Sequence, residues 1–401
     1  MNRFPREGKS LEAITPELQR LARIWEEMPK MPFGSVITKP DVAAVKAYEI
    51  LIESNYNNIG FIDNLKNHKI EGTNILGIEA DALAMICDLY HGKDCSGYIT
   101  SGGTEGNLMG LWLGREKLRD NGDILVVFSD LTHYSVEKVC NILELKNRVR
   151  LPVDKNHGID ISKLDDLISR KQYKSYIIVA TLGYTETGTL DNIQKIADLI
   201  KKYRKNADFY LHIDAAIGGF VIPFSRPELI WDFSLNEVDS ISADAHKLAA
   251  VPYPAGVFLA RRRNYKKPKK IDYICQLDAT FLGSRPGVSA AALYSVLLRM
   301  GFDGFKNSIL SCLEMKKVFL EKISKYGAEI VDCNCMNSLA ISFPSLGKKG
   351  LDKSIENKYS LSRVSLPNHG DRIFYPIFFM AHVKRSALDR FLEDLSRCLD
   401  G

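Results

Sequence analysis

From about Gly97 to Ala260 the chain repeats one pattern: a short apolar run, a turn, then an amphipathic segment. The runs are Gly97–Thr100, Asp123–Ser129, Val149–Val153, Tyr176–Gly183, Phe209–Asp214, Ser240–Ala243 and Gly256–Ala260. Several, such as ILVVF and YIIVATL, are apolar without alternation, as strands buried on both faces must be. The segments between them have helical periodicity. In Asn192–Tyr203, for example, Ile193, Ile196, Ala197, Leu199 and Ile200 share one face. This alternation predicts an α/β fold with a mainly parallel sheet covered on both sides.

The flanks differ in character. Pro16 to Leu89 reads as helical with proline-rich breaks, and Val288 to Tyr326 as a long helix. Short strands are expected near Glu329–Cys333 and Leu339–Phe343, then an apolar strand IFYPIFFM and a last helix from about Arg385. At 401 residues the chain exceeds one small core. The expected division is an N-terminal arm (1–50), a large domain (51–285) and a small C-terminal α+β domain (286–401). No internal repeat is visible.

Fifty-four basic residues against 49 acidic give a net charge of only +5. Its main concentrations are Arg261–Arg263 and the Lys266–Lys270 run, read as a solvated loop; without aromatic platforms this is no nucleic-acid surface. The eight cysteines include no CxxC pair, and the close couple Cys333/Cys335 matches no zinc or redox motif. Scattered reduced thiols point to a cytoplasmic setting. MNRFPREGKS has no apolar core of a secretion signal, and no stretch approaches the roughly 20 apolar residues that span a bilayer.

Four features carry chemistry. Lys247, in SADAHKLAAVPYPAG, follows a strand at the end where α/β sheets bind ligands. Asp214 ends the apolar run FYLHID, where a carboxylate needs a cation or several donors; capping of the following turn is the simpler alternative. A protonated pyridine nitrogen would suit it, and the small residues Ala215, Ala216, Gly218 and Gly219 leave room for a flat ring. Ser101–Asn107 is a glycine-rich strand-to-helix turn that aims backbone N–H groups at an anion, or is a plain tight turn. It lacks the spacings of the phosphate-binding P-loop and of the dinucleotide fingerprint. His133, opening a helix in LTHYSVEK, can stack on an aromatic ring or serve the turn alone.

In this chain order an anion cup, a stacking imidazole, a carboxylate and a lysine make a cofactor site. The stretches GYITSGGTEGNL, HYSVEK, GYTETGTLDNI, HIDAAIGGFVIPF, SADAHKLAAVPYPAGVFLARR and FLGSRPGVSAAALYSVL resemble the group II decarboxylases dependent on pyridoxal 5′-phosphate (PLP). The likeness runs furthest to the archaeal L-tyrosine/L-aspartate decarboxylases and covers about Val42 to Leu395. Around the lysine these also resemble sphingosine-phosphate lyases.

The resemblance implies the aspartate-aminotransferase-like fold (PLP fold type I) and a homodimer with its sites at the interface. It also implies release of CO2 from an L-amino acid, aromatic or acidic for preference. Lys247 would hold PLP as an internal aldimine, Asp214 would pair with the pyridinium, and Ala216 and His133 would cover the two ring faces. Gly102, Gly103, Thr104 and His246 would surround the phosphate, with Thr185 and Asp244 among the cofactor contacts. Gly283 and Ser284 would reach the phosphate from the neighbouring subunit. Tyr273, on IDYICQLDATF, stands where the family has a candidate proton donor, so Lys247, His133 and Tyr273 form the catalytic set. No metal is implied.

Two positions depart from the family. Where the archaeal enzymes have a carboxylate-binding arginine, PIFFMAHV has Pro376; Arg372, four residues earlier, is the candidate substitute. Tyr184 replaces a small hydroxyl residue and could offer its phenol to the substrate or simply pack. Three other readings compete: a PLP-dependent carbon–carbon lyase releasing an aldehyde, a PLP-binding scaffold without turnover, and a metal hydrolase using His212, Asp214, Asp244 and His246.

Overall fold

The computed structural model describes residues 10–27, 33–61, 63, 65, 75–265, 269–272 and 276–400. All seven expected strands form one sheet: β1 (Cys95–Thr100), β2 (Ile124–Ser129), β3 (Arg148–Leu151), β4 (Ser175–Thr181), β5 (Asp208–Asp214), β6 (Val238–Ala243) and β7 (Gly256–Arg261). Their order is β1-β7-β6-β5-β4-β2-β3, and β7 runs antiparallel to β1 and β6. The pairs β2–β3, β2–β4, β4–β5 and β5–β6 are parallel, so these strands end on the same edge of the sheet. Every residue of β4 is buried, as its unalternating sequence required.

Helices α1 (Leu11–Glu27), α2 (Val42–Leu51) and α3 (Leu76–Leu89) precede the sheet. Crossovers α4 (Gly103–Leu118), α5 (Tyr134–Ile142), α6 (Ile161–Ser169) and α7 (Ile193–Tyr203) cover it, followed by the short α8 (Ile222–Ser225). On α7 the apolar stripe Ile193, Ile196, Ala197 and Ile200 is buried. Helix α4 lies unusually close to the sheet. A Cβ on Gly106 would stand 2.5 Å from Ser242 Cβ, and one on Gly110 2.4 Å from His212 Nδ1. Glycines every fourth residue thus remove the side chains that would hold α4 off β5 and β6.

The hairpin β8 (Lys269–Ile271) and β9 (Gln276–Asp278) follows, with Lys269 and Lys270 exposed. The lysine run is therefore partly strand rather than loop, and Lys266, Lys267 and Pro268 lie outside the described residues. Helix α9 (Gly287–Ile323) kinks at Gly301, whose φ of +56° suits a residue without a Cβ. It leads to an antiparallel sheet of β10 (Glu329–Val331), β11 (Ser338–Ser342) and β12 (Tyr375–Phe378), with α10 (Lys353–Lys358) and α11 (Arg385–Asp400) alongside. Pro376 sits on β12, an edge strand of that sheet, where a missing N–H is tolerated. Among the described residues no helix is long and apolar enough to cross a membrane.

Candidate active site

The carboxyl ends of β2, β4, β5 and β6, with the N-terminus of α4, enclose a cavity of about 350 Å3. Gly102, Gly103, Thr104, His133, Tyr184, Thr185, Asp214, Ala216, Asp244, His246 and Lys247 all line it. Lys247 and Asp214 thus face one space, not two.

Gly102 opens α4 with φ +142° and no side-chain cap. The first-turn N–H groups of a helix have no intrahelical acceptor, so this end favours an anion. Glu105 closes the turn by accepting from Ser101 N at 2.7 Å and from the Tyr98 hydroxyl at 2.8 Å. Lys247 Nζ lies 2.9 Å from Asp244 Oδ2, and the other oxygen of this buried carboxylate, Oδ1, has no partner.

Asp214, 4% exposed, accepts from Ala216 N at 3.1 Å and from Asn107 Nδ2 at 2.8 Å. The carboxylate turns the Asn107 amide so that its Oδ1 faces the other way, accepting from Ser242 Oγ at 3.1 Å and from His212 Nε2 at 3.0 Å. His212 therefore carries its proton on Nε2, and Ser240 Oγ, 2.8 Å from Nδ1, donates to it. Burial pushes the His212 pKa down to about 3, so the ring is neutral. The second Asn107 hydrogen goes to Ser135 Oγ at 2.9 Å, and that hydroxyl lies 2.8 Å from His133 Nδ1. Ser135 N also donates to Nδ1, which leaves the proton of neutral His133 on Nε2. Desolvation lowers the His133 pKa, against the pull of Asp214. One buried amide fixes both the carboxylate and the imidazole.

Sequence reasoning missed Asn107, Ser135 and Ser242; the glycines at 106, 110 and 114 were the available signal for a helix face laid on the sheet. It also missed Tyr253, whose ring packs on His246 at 4.1 Å between centroids, at the cavity wall.

The two candidate substrate contacts fare differently. Tyr184 lines the cavity, but its hydroxyl is buried, accepting from Ser129 Oγ at 2.6 Å and donating to Asp191 Oδ1 at 2.7 Å, which favours packing over a phenol offered to the substrate. Burial raises the pKa of Asp191 to about 6. Arg372 is an exposed residue paired with Glu329 on β10, which also holds His369, and it does not line the cavity. Gly283 and Ser284 stand outside this chain's cavity; Ser284 Oγ accepts from Asn57 Nδ2 at 3.0 Å. Tyr273 lies outside the described residues. The metal-hydrolase reading fails because His212 commits both nitrogens within the core. No cluster of three or more metal-ligating side chains occurs among the described residues.

The conserved domain of pyridoxal-dependent decarboxylases matches residues 80–345, the stretch that builds this cavity. The chain belongs to the pyridoxal-dependent decarboxylase family. A probable L-tyrosine/L-aspartate decarboxylase of Methanococcus maripaludis is 31% identical to this decarboxylase over 374 residues, covering 90% of this chain and 92% of the relative. In fold it is similar to L-methionine decarboxylase from Streptomyces sp. 590 (TM-score 0.86, 19% identity, 98% and 96% of the two chains). It is likewise similar to sphingosine-1-phosphate lyase from Burkholderia pseudomallei (TM-score 0.81, 19% identity, 100% and 93%). The PLP fold type I expectation holds. The cofactor of this decarboxylase is PLP, and the cavity suits it: an uncapped helix N-terminus for the phosphate, a lysine, a held carboxylate and the unpartnered Asp244 Oδ1.

Proposed function

We propose that the protein removes the α-carboxylate of an L-amino acid, aromatic or acidic for preference, as CO2. Lys247 is the amine that receives the PLP aldehyde. The observation that carries this reading is the shared cavity of Lys247, Asp214 and the α4 N-terminus, with Asp214 held by Asn107. When bound, PLP supplies an electron sink for the pair released as the bond from α-carbon to carboxylate breaks.

The chain's own residues do the rest. Gly102, Gly103 and Thr104, with His246, receive the phosphate. Asp214 would meet the ring nitrogen, and Ala216 and His133 would bracket the ring. The Asp244 carboxylate, 2.9 Å away, steadies the Lys247 ammonium and can take up a proton as the amine is freed. The proton on His133 Nε2 stands opposite the anchored Nδ1 and is available to the substrate. Tyr253, its ring packed on His246, walls one side of the cavity.

Tyr273 is retained in the proposal as donor of a proton to the α-carbon. A homodimer bringing Gly283 and Ser284 to the partner's phosphate is supported by exposed apolar side chains, among them Leu11, Leu18 and Leu21 on α1 and Phe281 beside Leu282. Of the division into arm, large domain and C-terminal domain at 50 and 285, the boundary near 285 is supported by the separation of the seven-stranded and three-stranded sheets, while 50 falls within α2. A cytoplasmic setting suits cysteines that remain thiols. An aldehyde lyase acting on a phosphorylated substrate needs further cations. Among described cavity residues only Lys247, His133 and His246 are basic, which favours decarboxylation. The test is release of CO2 across a panel of amino acids. One good substrate supports the reading, and aldehyde release without CO2 from any of them overturns it.

A further inference from the structure

Just after β10 a tight turn carries two thiols. Asn334 has φ +64°, Cys335 N donates to the Cys333 carbonyl at 2.8 Å, and the two Sγ atoms come within 3.5 Å. A disulfide requires about 2.05 Å, so closure needs only a small side-chain movement. Cys333 is half-buried and Cys335 buried. Lys316, 3% exposed, is fixed beside them by Asp332 Oδ1 at 2.7 Å and the Met336 carbonyl at 2.6 Å. The Cys335 thiol donates to Cys333 and, with the Cys335 N–H and Lys316, lowers the Cys333 pKa against burial, while the same contact raises that of Cys335. A thiol of lowered pKa with a second thiol in reach is the arrangement that thiol–disulfide exchange uses.

The turn also braces the cofactor cavity. Cys333 Sγ donates to the Gly188 carbonyl at 3.0 Å. A Cβ on Gly183 would come 2.6 Å from Met336 Cε, and one on Gly188 2.5 Å from Ser338 Oγ. The loop from Gly183 to Gly188 rests on this segment and brings Tyr184 and Thr185 to the cavity wall.

We propose that Cys333 and Cys335 form an exchange site for low-molecular-weight disulfides such as glutathione disulfide, and that the loop beside the cofactor registers its state. The Cys333 thiolate attacks one sulfur of the small disulfide, whose S–S bond breaks and releases one thiol. The Cys335 thiolate, its proton passing to solvent, then attacks Cys333 Sγ and expels the second thiol. Two cysteine thiols are oxidised to one disulfide while the small disulfide is reduced to two thiols. The bridge removes the S–H that Gly188 accepted, so the loop loses a tether. The exchange is independent of the cofactor assignment; only the readout at the cavity rests on it.

The test incubates the PLP-loaded enzyme with glutathione disulfide. Expected are the loss of two titratable thiols, the mass of two hydrogens, and a mapped 333–335 bridge. Expected too is PLP release faster by about twofold to tenfold, the worth of one neutral hydrogen bond, reversed by dithiothreitol. The double variant Cys333→Ser/Cys335→Ser shows none of this, and Cys335→Ser stops at a glutathione adduct on Cys333. Cys87 and Cys95 provide an internal control, since a Cβ on Gly92 would touch both their sulfurs at 2.5 and 2.8 Å, yet both are buried. Thiols 333 and 335 still titrating, a bridge at 87–95 instead, or a 333–335 bridge that leaves PLP release unchanged would each overturn the proposal.

Discussion

Replacing Asn107 by alanine removes four hydrogen bonds from one buried point: Asp214 at 2.8 Å, Ser135 at 2.9 Å, His212 at 3.0 Å and Ser242 at 3.1 Å. Asp214 loses a donor, and His212 Nε2–H and Ser242 lose their acceptor. Each stranded buried group costs about 1–3 kcal/mol, so with partial relaxation the fold loses about 3 kcal/mol or more. That loss alone would mark Asn107 as a core residue. The functional claim is separate: without the amide the Asp214 carboxylate is no longer set for the pyridine nitrogen, and ordering it again is charged to binding. PLP affinity should fall about tenfold, equivalent to about 1.4 kcal/mol. The assay is titration of apoenzyme with PLP at a temperature where the variant is folded, beside urea unfolding. Ser242→Ala, which removes one Asn107 contact but whose lost hydroxyl touches neither Asp214 nor His133 and does not line the cavity, should keep its Kd within about twofold. An Asn107→Ala enzyme with lowered stability but unchanged PLP affinity would refute the argument.

Arg372→Ala should leave KM for the amino acid unchanged within about twofold, because an exposed pair such as Arg372–Glu329 contributes little; a tenfold rise in KM would restore Arg372 to the substrate site. His212 is neutral in the fold with a pKa near 3, whereas the unfolded imidazole binds a proton below about 6.5. The unfolded state therefore holds more protons in that window, so this contribution is complete above pH 6.5 and is lost as pH falls towards 3. His212→Gln should flatten the slope of stability against pH between 6 and 4 by close to one proton, measured by urea unfolding; an unchanged slope counts against it. Arg285 and Glu79, 5% and 1% exposed, form a buried pair joining the segment after Ser284 to α3. Arg285→Ala should cost about 3–5 kcal/mol by the same assay, because it leaves the Glu79 carboxylate buried without its cation; a loss below about 1 kcal/mol counts against this.

The sheet was legible because strands buried on both faces leave long apolar runs, and each of the seven was found within a few residues of its observed limits. Lys247, Asp214, His133 and the glycine turn were legible because each follows such a run, and parallel strands bring those ends together. Asn107 was not, since a helical asparagine carries no sign of which strand its amide will meet; that depends on glycines letting α4 approach β5 and β6. Tyr184 and Arg372 were less legible for a related reason. Their chemistry suggested a ligand, but Asp191 and Glu329 had already claimed them, at separations in sequence that no local pattern reveals.

Everything functional rests on Lys247 as the amine that receives PLP. Borohydride reduction of the PLP-loaded enzyme, followed by peptide mapping, reads that bond directly. A phosphopyridoxyl group on Lys247, absent from Lys247→Ala, is the predicted result. The same group on another lysine, or none in a protein that retains PLP, would contradict the account.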